Sequence, residues 1–337
     1  MKKYFQRSQL NLFFVAILLV PFFCAAQSDF QHDTAYYETF PRKLTVRIYT
    51  SRKYIHLHLP PIGSGQDLEY EANPKLNLGA GFSYRNLSLN LFYGFSFLNP
   101  NDIKGRTKGL DIQLHVYPRK WSIDVLGIFP RGYHLEPKGY AAVNSNSYYY
   151  RPDMKQALVG IAAYRVPNKE RFSYRAAIIQ TEWQKKSAGS FLYGGEAYYG
   201  SVKADSAFVP HSVQNEFPQS GINNISFFRI GPGGGYAYTL VIEKHFFATA
   251  SLIGNLDLNF TTEKGIAKQQ KFALNPTVVF KTAIGYNSAN WNVSANLTGL
   301  TLWIRGASSD EHYYWPSGNY RFVVAKKINL KTKARHS

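Results

Sequence analysis

Large apolar side chains occupy every second position of residues 87–97, and Ser, Asn and Gly hold most of the positions between them. Successive side chains of a β-strand point to opposite faces, so this alternation predicts a strand with one apolar and one polar face. The apolar face must meet a hydrocarbon-like medium, while the other face tolerates water or a polar interior. We therefore expect any chemistry on the polar face or in the loops.

The same alternation recurs in residues 75–85, 110–116, 252–260 and 291–298. Alternating segments of about ten residues, separated by turns, are typical of transmembrane β-barrels. A closed barrel also pairs every backbone group, which hydrocarbon requires. We therefore predict an all-β fold, an antiparallel transmembrane β-barrel. The alternative is a soluble periplasmic β-sandwich or barrel, whose outer face would be charged instead.

Eight further segments bring the candidate strands to thirteen: residues 44–59, 121–133, 154–165, 171–184, 190–202, 225–241, 271–286 and 320–330. Bacterial single-chain barrels have an even number of strands. An odd number therefore means that one assignment is wrong. Periplasmic turns are short, so if both termini lie at the periplasmic end, the positions of the short turns place the wrong assignment between residues 171 and 241. Either one strand assigned there belongs to a loop, giving twelve, or the glycine-rich run at residues 231–235 splits a strand, giving fourteen. We predict twelve, because a split leaves too few residues to span a bilayer.

Long loops are expected at the opposite, external end, at residues 60–74, 99–106, 134–153, 262–270 and 305–319. The third and the fifth of these are rich in aromatic residues. Such side chains suit the interfacial belt of a membrane barrel, and stacking on sugars is the alternative.

The first 26 residues have the layout of a secretory signal. Three basic residues precede an apolar core, and Ala25 and Ala26 provide a small-residue cleavage site. Cleavage there removes Cys24, the only cysteine, and with it disulfide and thiolate chemistry. No later apolar stretch reaches 18 residues, so a transmembrane helix is not expected. The predicted layout is a signal peptide at 1–26, a lead-in at 27–43, the barrel at 44–330 and a basic tail at 331–337.

The chain of 337 residues carries a formal net charge of +18, and 16% of its residues are aromatic. For an exported protein, this basic balance favours outer-membrane lipid and lipopolysaccharide as partners over nucleic acid. A basic surface without a particular ligand is the alternative. The predicted location is the cell outer membrane, and an unidentified envelope protein or a small solute is a further candidate partner.

One group of charged residues, Arg175, Glu182, Lys185 and Lys186, is the candidate binding site. A charge on the lipid face near the bilayer midplane costs about 2–4 kcal/mol. We therefore expect Arg175 to be a lumenal base, and Lys185 and Lys186 to lie at a loop edge near lipid phosphate. Anion binding and a salt-bridge network that rigidifies the barrel are both open as the role of this group.

Other candidate chemistry is weaker. His56 and His58 share one strand face, but the spacing fixes no third metal ligand, so we expect an interfacial or lumenal pair. Asp111, His115 and Ser122 form a conceivable lumenal catalytic trio. The glycine-rich run at residues 231–235 lacks the Lys-Ser/Thr of a phosphate loop, and bending of the wall explains it better. We predict no catalytic residue, no metal site and no cofactor.

Several motifs resemble one known family. They are Arg151-Pro152-Asp153-Met154, Arg171-Phe172-Ser173-Tyr174-Arg175, the segment at residues 184–190, the glycine-rich run followed by Tyr236, and the turn Arg119-Lys120-Trp121. The chain is similar over most of its length to the exported β-barrel family called domain of unknown function 4421, common in Bacteroidetes-type bacteria. The resemblance implies an outer-membrane barrel and transfers no catalytic residue.

The expected function is therefore that of an outer-membrane β-barrel without established activity. A non-enzymatic narrow pore, or a scaffold or binding barrel of the envelope, is the main hypothesis. The alternative is an outer-membrane enzyme that acts on lipid or lipopolysaccharide.

Overall fold

The structure, a computed structural model, describes residues 31–63, 65–84, 87–99, 103–309 and 311–330. The predicted signal peptide and basic tail lie outside the described residues. The strands are β1 (Tyr37–Glu38), β2 (Lys43–Leu59), β3 (Leu68–Ala72), β4 (Asn77–Tyr84), β5 (Leu87–Tyr93), β6 (Lys108–Val116), β7 (Trp121–Glu136), β8 (Tyr150–Arg165), β9 (Trp183–Gln184), β10 (Ala188–Lys203), β11 (Asn224–Ile242), β12 (Phe246–Lys264), β13 (Lys268–Asn287), β14 (Trp291–Arg305) and β15 (His312–Asn329). One short α-helix, α1 (Tyr174–Ile178), and two 3₁₀ turns, Ser96–Leu98 and His211–Glu216, accompany them.

Ten strands close into a barrel. Around the ring they run β2, β3, β7, β8, β10, β11, β12, β13, β14 and β15, and β15 pairs with β2 again. Every neighbouring pair is antiparallel. The predicted all-β, antiparallel barrel is confirmed, whereas the predicted number of twelve strands does not match the closed ring. We call the end where β2 begins and β15 ends the terminal end, and the other the distal end.

Three strands of the same sheet stand outside the ring. β4 pairs with the terminal half of β2 and carries β5, while β6 pairs with the terminal half of β7. Nearer the distal end, β3 pairs with both β2 and β7 and so bridges them. In the described part of the chain β5 and β6 do not pair with each other, which leaves a notch in the wall, the side notch.

The predicted count differs from the ring because three predicted strands, β4, β5 and β6, stand outside it, while β3, which was not predicted, takes their place. β3 lies inside residues 60–74, which the sequence predicts to be a loop, and its five residues complete the ring. Alternation identifies residues that fit a barrel wall, but it does not fix which strand pairs with which. The 17-residue β2 therefore takes two different neighbours along one edge.

A second correction concerns residues 171–184, which do not form a barrel strand. Ser173 begins α1, and its Oγ accepts a hydrogen bond from the Ala176 backbone N at 3.0 Å. The segment then reaches β9, which pairs with β1 of the lead-in. The sequence alternative that assigned one strand of this region to a loop is thus the better one.

The glycine-rich run does not split a strand, because β11 continues through it and stays paired with β10 at each position, while the pairing with β12 skips only Gly231 and Pro232. A Cβ at Gly233 would lie 1.6 Å from Asn255 Oδ1. Glycine is needed there because the inward Asn255 side chain crosses directly over the neighbouring backbone.

The two faces of the wall differ as predicted for residues 252–260. Leu252, Leu256 and Phe260 on the outer face are more than half exposed, whereas Asp257 and Asn259 on the inner face are fully buried. A soluble barrel shows the reverse distribution, because its apolar side chains fill the interior.

Aromatic side chains mark two heights on the outer face. Phe228, Phe260 and Phe272 are direct neighbours on β11, β12 and β13 near the distal end. Phe246 and Tyr286 are neighbours near the terminal end. At about 3.4 Å per residue and a tilt of about 40°, the two rows stand about 36 Å apart, which leaves room between them for an apolar band about 25 Å tall. We call the outer surface between the rows the apolar band.

The strand predicted at residues 87–97 is shorter than expected. β5 ends at Tyr93, and Ser96–Leu98 form a 3₁₀ turn. Leu91 and Tyr93 are each 67% exposed on the outer face, so the orientation predicted for them is correct. Among the described residues, no helix has the length and apolar character needed to cross a membrane.

Candidate functional site: the lumen and its two ends

Residues 166–187 fold into the terminal end of the lumen, and we call this segment the plug. Contacts with inward-facing wall residues hold it. Gln180 Nε2 donates to Asn296 Oδ1 on β14 at 3.2 Å, and Asn287 Nδ2 on β13 donates to the Glu182 backbone oxygen at 2.8 Å. Phe172 is 1% and Ala177 0% exposed. The plug therefore fills the terminal end as a packed element.

The Glu182 carboxylate organises the polar part of the plug. It is 2% exposed. Its Oε2 accepts hydrogen bonds from Arg119 Nη1 at 2.7 Å and from Ser173 Oγ at 2.5 Å. Arg175 Nε lies 3.7 Å from Oε1. One buried carboxylate thus joins the plug to the turn between β6 and β7.

Electrostatics keeps this carboxylate ionised. Burial by itself would raise the pKa of Glu182, but the charges of Arg175 and Arg119 and the hydrogen bonds outweigh it, so the pKa lies below its usual value. Burial likewise opposes the charge of Arg119, and Glu182 outweighs it, so the pKa of Arg119 is raised. Each partner stabilises the other's charged form.

The structure separates the four predicted binding residues into two groups. Arg175 and Glu182 meet inside the plug. Lys185 Nζ lies 3.9 Å from Glu38 Oε2 at the edge of the lead-in, and Lys186 Nζ lies 5.5 Å from the centre of the Tyr36 ring. Arg175 therefore faces a carboxylate. Ligand binding by these four residues stays a prediction.

A cavity of about 150 Å³ lies above the plug. Four basic side chains line it, Arg47, Lys53, Lys281 and Arg321. Lys281 Nζ contacts Asp124 Oδ2 at 2.5 Å. Sequence reasoning missed this basic lining, because inward positions on strands distant in sequence meet only when the ring closes.

The conceivable catalytic trio is not assembled. His115 Nδ1 lies 2.6 Å from Asp124 Oδ1, and Asp111 instead contacts Lys53. Ser122 is fully buried, and its Oγ has no hydrogen-bond partner among the described residues. The trio considered from the sequence is not formed, because the pairing of β6 with β7 sets His115 opposite Asp124.

A second polar network crosses the middle of the lumen. Arg229 Nη2 lies 2.6 Å from Asp257 Oδ2, and both side chains are fully buried. Glu196 Oε2 accepts hydrogen bonds from Tyr164 Oη at 3.0 Å and Asn255 Nδ2 at 2.9 Å. These contacts tie β8, β10, β11 and β12 together and leave little free space there.

Residues 204–223 close over the distal end, and we call this segment the cap. Its apolar side chains Phe208, Val209 and Phe217 are at most 3% exposed and belong to the main hydrophobic cluster of the lumen, which also includes Phe172 of the plug. Tyr70 Oη on β3 donates to the Phe208 backbone oxygen at 2.5 Å. Apolar packing therefore fills this end, whereas the plug combines apolar packing with the buried charges around Glu182.

The two histidines considered for metal binding, His56 and His58, lie on the outer face of β2 near the distal end. Glu69 of β3 adds a carboxylate, with its Oε1 2.8 Å from His56 Nδ1 and 3.4 Å from His58 Nε2. Glu71, His134 and Glu136 form a second group beside them. The sequence could not supply the third ligand, because β3 was predicted to be a loop.

The fold and its filled lumen define a class, the closed antiparallel β-barrel with an apolar outer face and a polar interior. The chain belongs to the family described as domain of unknown function (DUF4421), which matches residues 31–313. None of the curated proteins compared with the chain matches it.

Three similar solved structures are distant from this chain. The translocator domain of the autotransporter NalP from Neisseria meningitidis is 8% identical, with a TM-score of 0.30, over 97% of this chain and 98% of that one. OmpT, an outer membrane protein of Vibrio cholerae, is 8% identical, with a TM-score of 0.28, over 83% and 99%. A FadL homologue from Pseudomonas aeruginosa is 9% identical, with a TM-score of 0.23, over 86% and 91%.

Proposed function

We propose that the protein is an outer-membrane β-barrel that acts without catalysis, as a scaffold or binding barrel of the cell envelope, and that its resting lumen does not conduct ions. The apolar band supports insertion in a bilayer, because lipid-facing barrels expose such a band between two aromatic girdles. The terminal end then faces the periplasm. The observation that carries the proposal is that two separate segments fill the two ends of the lumen.

A conducting pore needs a continuous hydrated path. Phe172 and Ala177 of the plug are buried at one end, and Phe208 and Phe217 of the cap at the other. Between them the Arg229 and Asp257 side chains are fully buried. An ion would have to displace packed side chains at each level, so a closed barrel fits the geometry better than a narrow pore.

A row of basic side chains supports outer-leaflet lipid as a partner. Arg131, Lys155 and Lys203 are exposed and directly opposite one another on β7, β8 and β10. Like charges in directly opposed positions destabilise a sheet unless an anion lies between them. The row stands next to the distal edge of the apolar band, at the height of lipid headgroups, so the phosphates of lipopolysaccharide fit it.

Conductance in planar bilayers tests the closed lumen. We expect the purified mature chain to give no steady conductance, and a variant with residues 171–182 replaced by a short Gly-Ser linker to give measurable current. Heat-modifiable gel migration shows whether each protein is folded. A steady, voltage-independent conductance of the folded wild-type chain would overturn the proposal.

One observation favours a second candidate, an enzyme that acts on lipid. The side notch leaves the His115 side chain 38% exposed, 2.6 Å from Asp124, in the arrangement of a general base held by a carboxylate. Mass spectrometry of lipid A from cells expressing the wild type or the variant His115→Gln tests this candidate. Identical lipid A species in both would remove it.

A further inference from the structure

The histidine pair on the outer wall has a carboxylate neighbour at ligand distance. His56 and His58 come from β2, and Glu69 comes from β3, which pairs with it. Their side chains are 22%, 16% and 31% exposed. Three donors from two adjacent strands thus converge at a half-buried position, which the backbone pairing itself holds in place.

This position lies outside the apolar band. Arg52 precedes the histidines on the same outer face of β2 and is exposed. Arg131 precedes His134 on β7 in the same way. Exposed arginines are costly in the lipid core and common at its edge. The histidine pair, further towards the distal end, is therefore reached by water and by ions from the cell exterior.

The ligand atoms of the three residues lie within 4.8 Å of one another, and the two distances to the carboxylate suit a small divalent metal ion. A tetrahedral site with bonds of about 2.0–2.1 Å places its ligand atoms about 3.3 Å apart. His58 Nε2 lies 3.4 Å from Glu69 Oε1, and His56 Nδ1 lies 2.8 Å from the same atom. A shift of a few tenths of an ångström in one side chain would make both separations equal.

Two further carboxylates lie close to the histidines, where a metal site has groups that orient its ligands. The second nitrogen of His58, Nδ1, faces Asp67 Oδ2 at 3.8 Å. Metal-bound histidines usually present their other nitrogen to a carboxylate, which orients the ring. His56 Nδ1 also lies 3.3 Å from Glu71 Oε1, which is a candidate fourth ligand.

The neighbouring group of Glu71, His134 and Glu136 differs from the histidine pair and Glu69 because a lysine contacts two of its carboxylates. Lys104 Nζ contacts Glu136 and lies 3.6 Å from Glu71 Oε2. The ammonium group already provides the positive charge that a metal would bring there. Among the described residues, no lysine or arginine is in ion-pair contact with His56, His58 or Glu69 themselves; Lys104 contacts Glu71 through Oε2, whereas Glu71 faces His56 through Oε1.

We propose that His56, His58 and Glu69 bind one divalent transition metal ion of the Zn²⁺ type. Two imidazole nitrogens with one carboxylate select Zn²⁺ over Ca²⁺ and Mg²⁺, which prefer oxygen ligands. The bound ion would join β2 to β3. Because β3 also pairs with β7, the ion would reinforce the short bridge that completes the ring.

Isothermal titration of the refolded mature chain with ZnCl₂, after treatment with a chelator, tests the site. We expect about one ion per chain, and the variant His58→Gln to lose affinity by about tenfold or more, since it removes a direct ligand. The matched control is His211→Gln, which changes an exposed histidine of the cap and should leave binding unchanged.

A second readout guards against misfolding of the variant. Zn²⁺ should raise the temperature of heat modification of the wild type and of His211→Gln, and a tenfold excess of Ca²⁺ should not replace it. Glu69→Gln should weaken binding as His58→Gln does. Absence of Zn²⁺ binding by the folded wild type would overturn the proposal, and so would equal affinity in folded His58→Gln.

Discussion

The plug and the cap fill opposite ends of one lumen, and both bury apolar side chains, but the plug also has a buried network of charges. The plug is organised around a buried carboxylate held by Arg119, Arg175 and Ser173, whereas the cap is held by apolar packing of Phe208, Val209 and Phe217. The strength of a buried ion pair depends on the protonation of its partners, whereas apolar packing does not change with pH. The terminal end is therefore the end that can respond to solution conditions.

The largest effect is expected from breaking the plug. The variant Glu182→Ala removes the carboxylate that the buried Arg119 and Arg175 face, so we expect it to destabilise the protein by about 3–5 kcal/mol. Urea unfolding in detergent, followed by heat-modifiable migration, measures the change. A loss below about 1 kcal/mol would show that the network is only a surface-like contact.

In the cap, we expect the variant Phe217→Ala to lower the free energy of unfolding by about 3 kcal/mol. Phe217→Ala removes a ring that is 1% exposed and leaves a cavity, at the lower end of the usual Phe→Ala range because the cap can partly settle. The same unfolding assay measures it. Phe97, which is 72% exposed, provides the matched control: Phe97→Ala should change little.

Acid should distinguish the two ends. The pKa of Glu182 is lowered in the folded state, so its contribution is fully present above the ordinary glutamate pKa of about 4.3 and is lost as the pH falls through the lower folded value. The destabilisation by Glu182→Ala should therefore shrink below about pH 4, whereas that by Phe217→Ala should stay constant. If the destabilisation by the two variants changed with pH in the same way, the expected difference between the plug and the cap would be contradicted.

The smallest effect is expected at the edge of the plug. Lys185 lies 3.9 Å from the half-exposed Glu38, and exposed ion pairs contribute about 0–1 kcal/mol. We expect Lys185→Ala to change the free energy of unfolding within that range. A loss as large as that of Glu182→Ala would place the edge, and not the buried carboxylate, at the centre of the plug.

The sequence predicted which residues form the wall of the barrel. It did not predict the strand pairing that closes the ring or the segments that fill the lumen. Alternation at residues 252–260 predicted which side chains face outward, because a strand fixes that locally. The role of β3 depends on pairing with two distant strands. Residues 171–184 alternate well enough to resemble a strand, yet the Ser173 cap and the contacts of Glu182 with Arg119 place them inside the lumen. The site was predicted only as a group of charges, since its partners are distant in sequence.

The filled lumen is tested most directly by labelling a single cysteine inside it. The predicted cleavage removes Cys24, so Ser317→Cys, at a buried position that lines the cavity, would be the only thiol. A membrane-impermeant maleimide should leave it unmodified in intact proteoliposomes, while Ser145→Cys in an exposed loop reacts fully when that loop faces the reagent. Comparable labelling of the two folded variants would contradict a lumen closed at both ends.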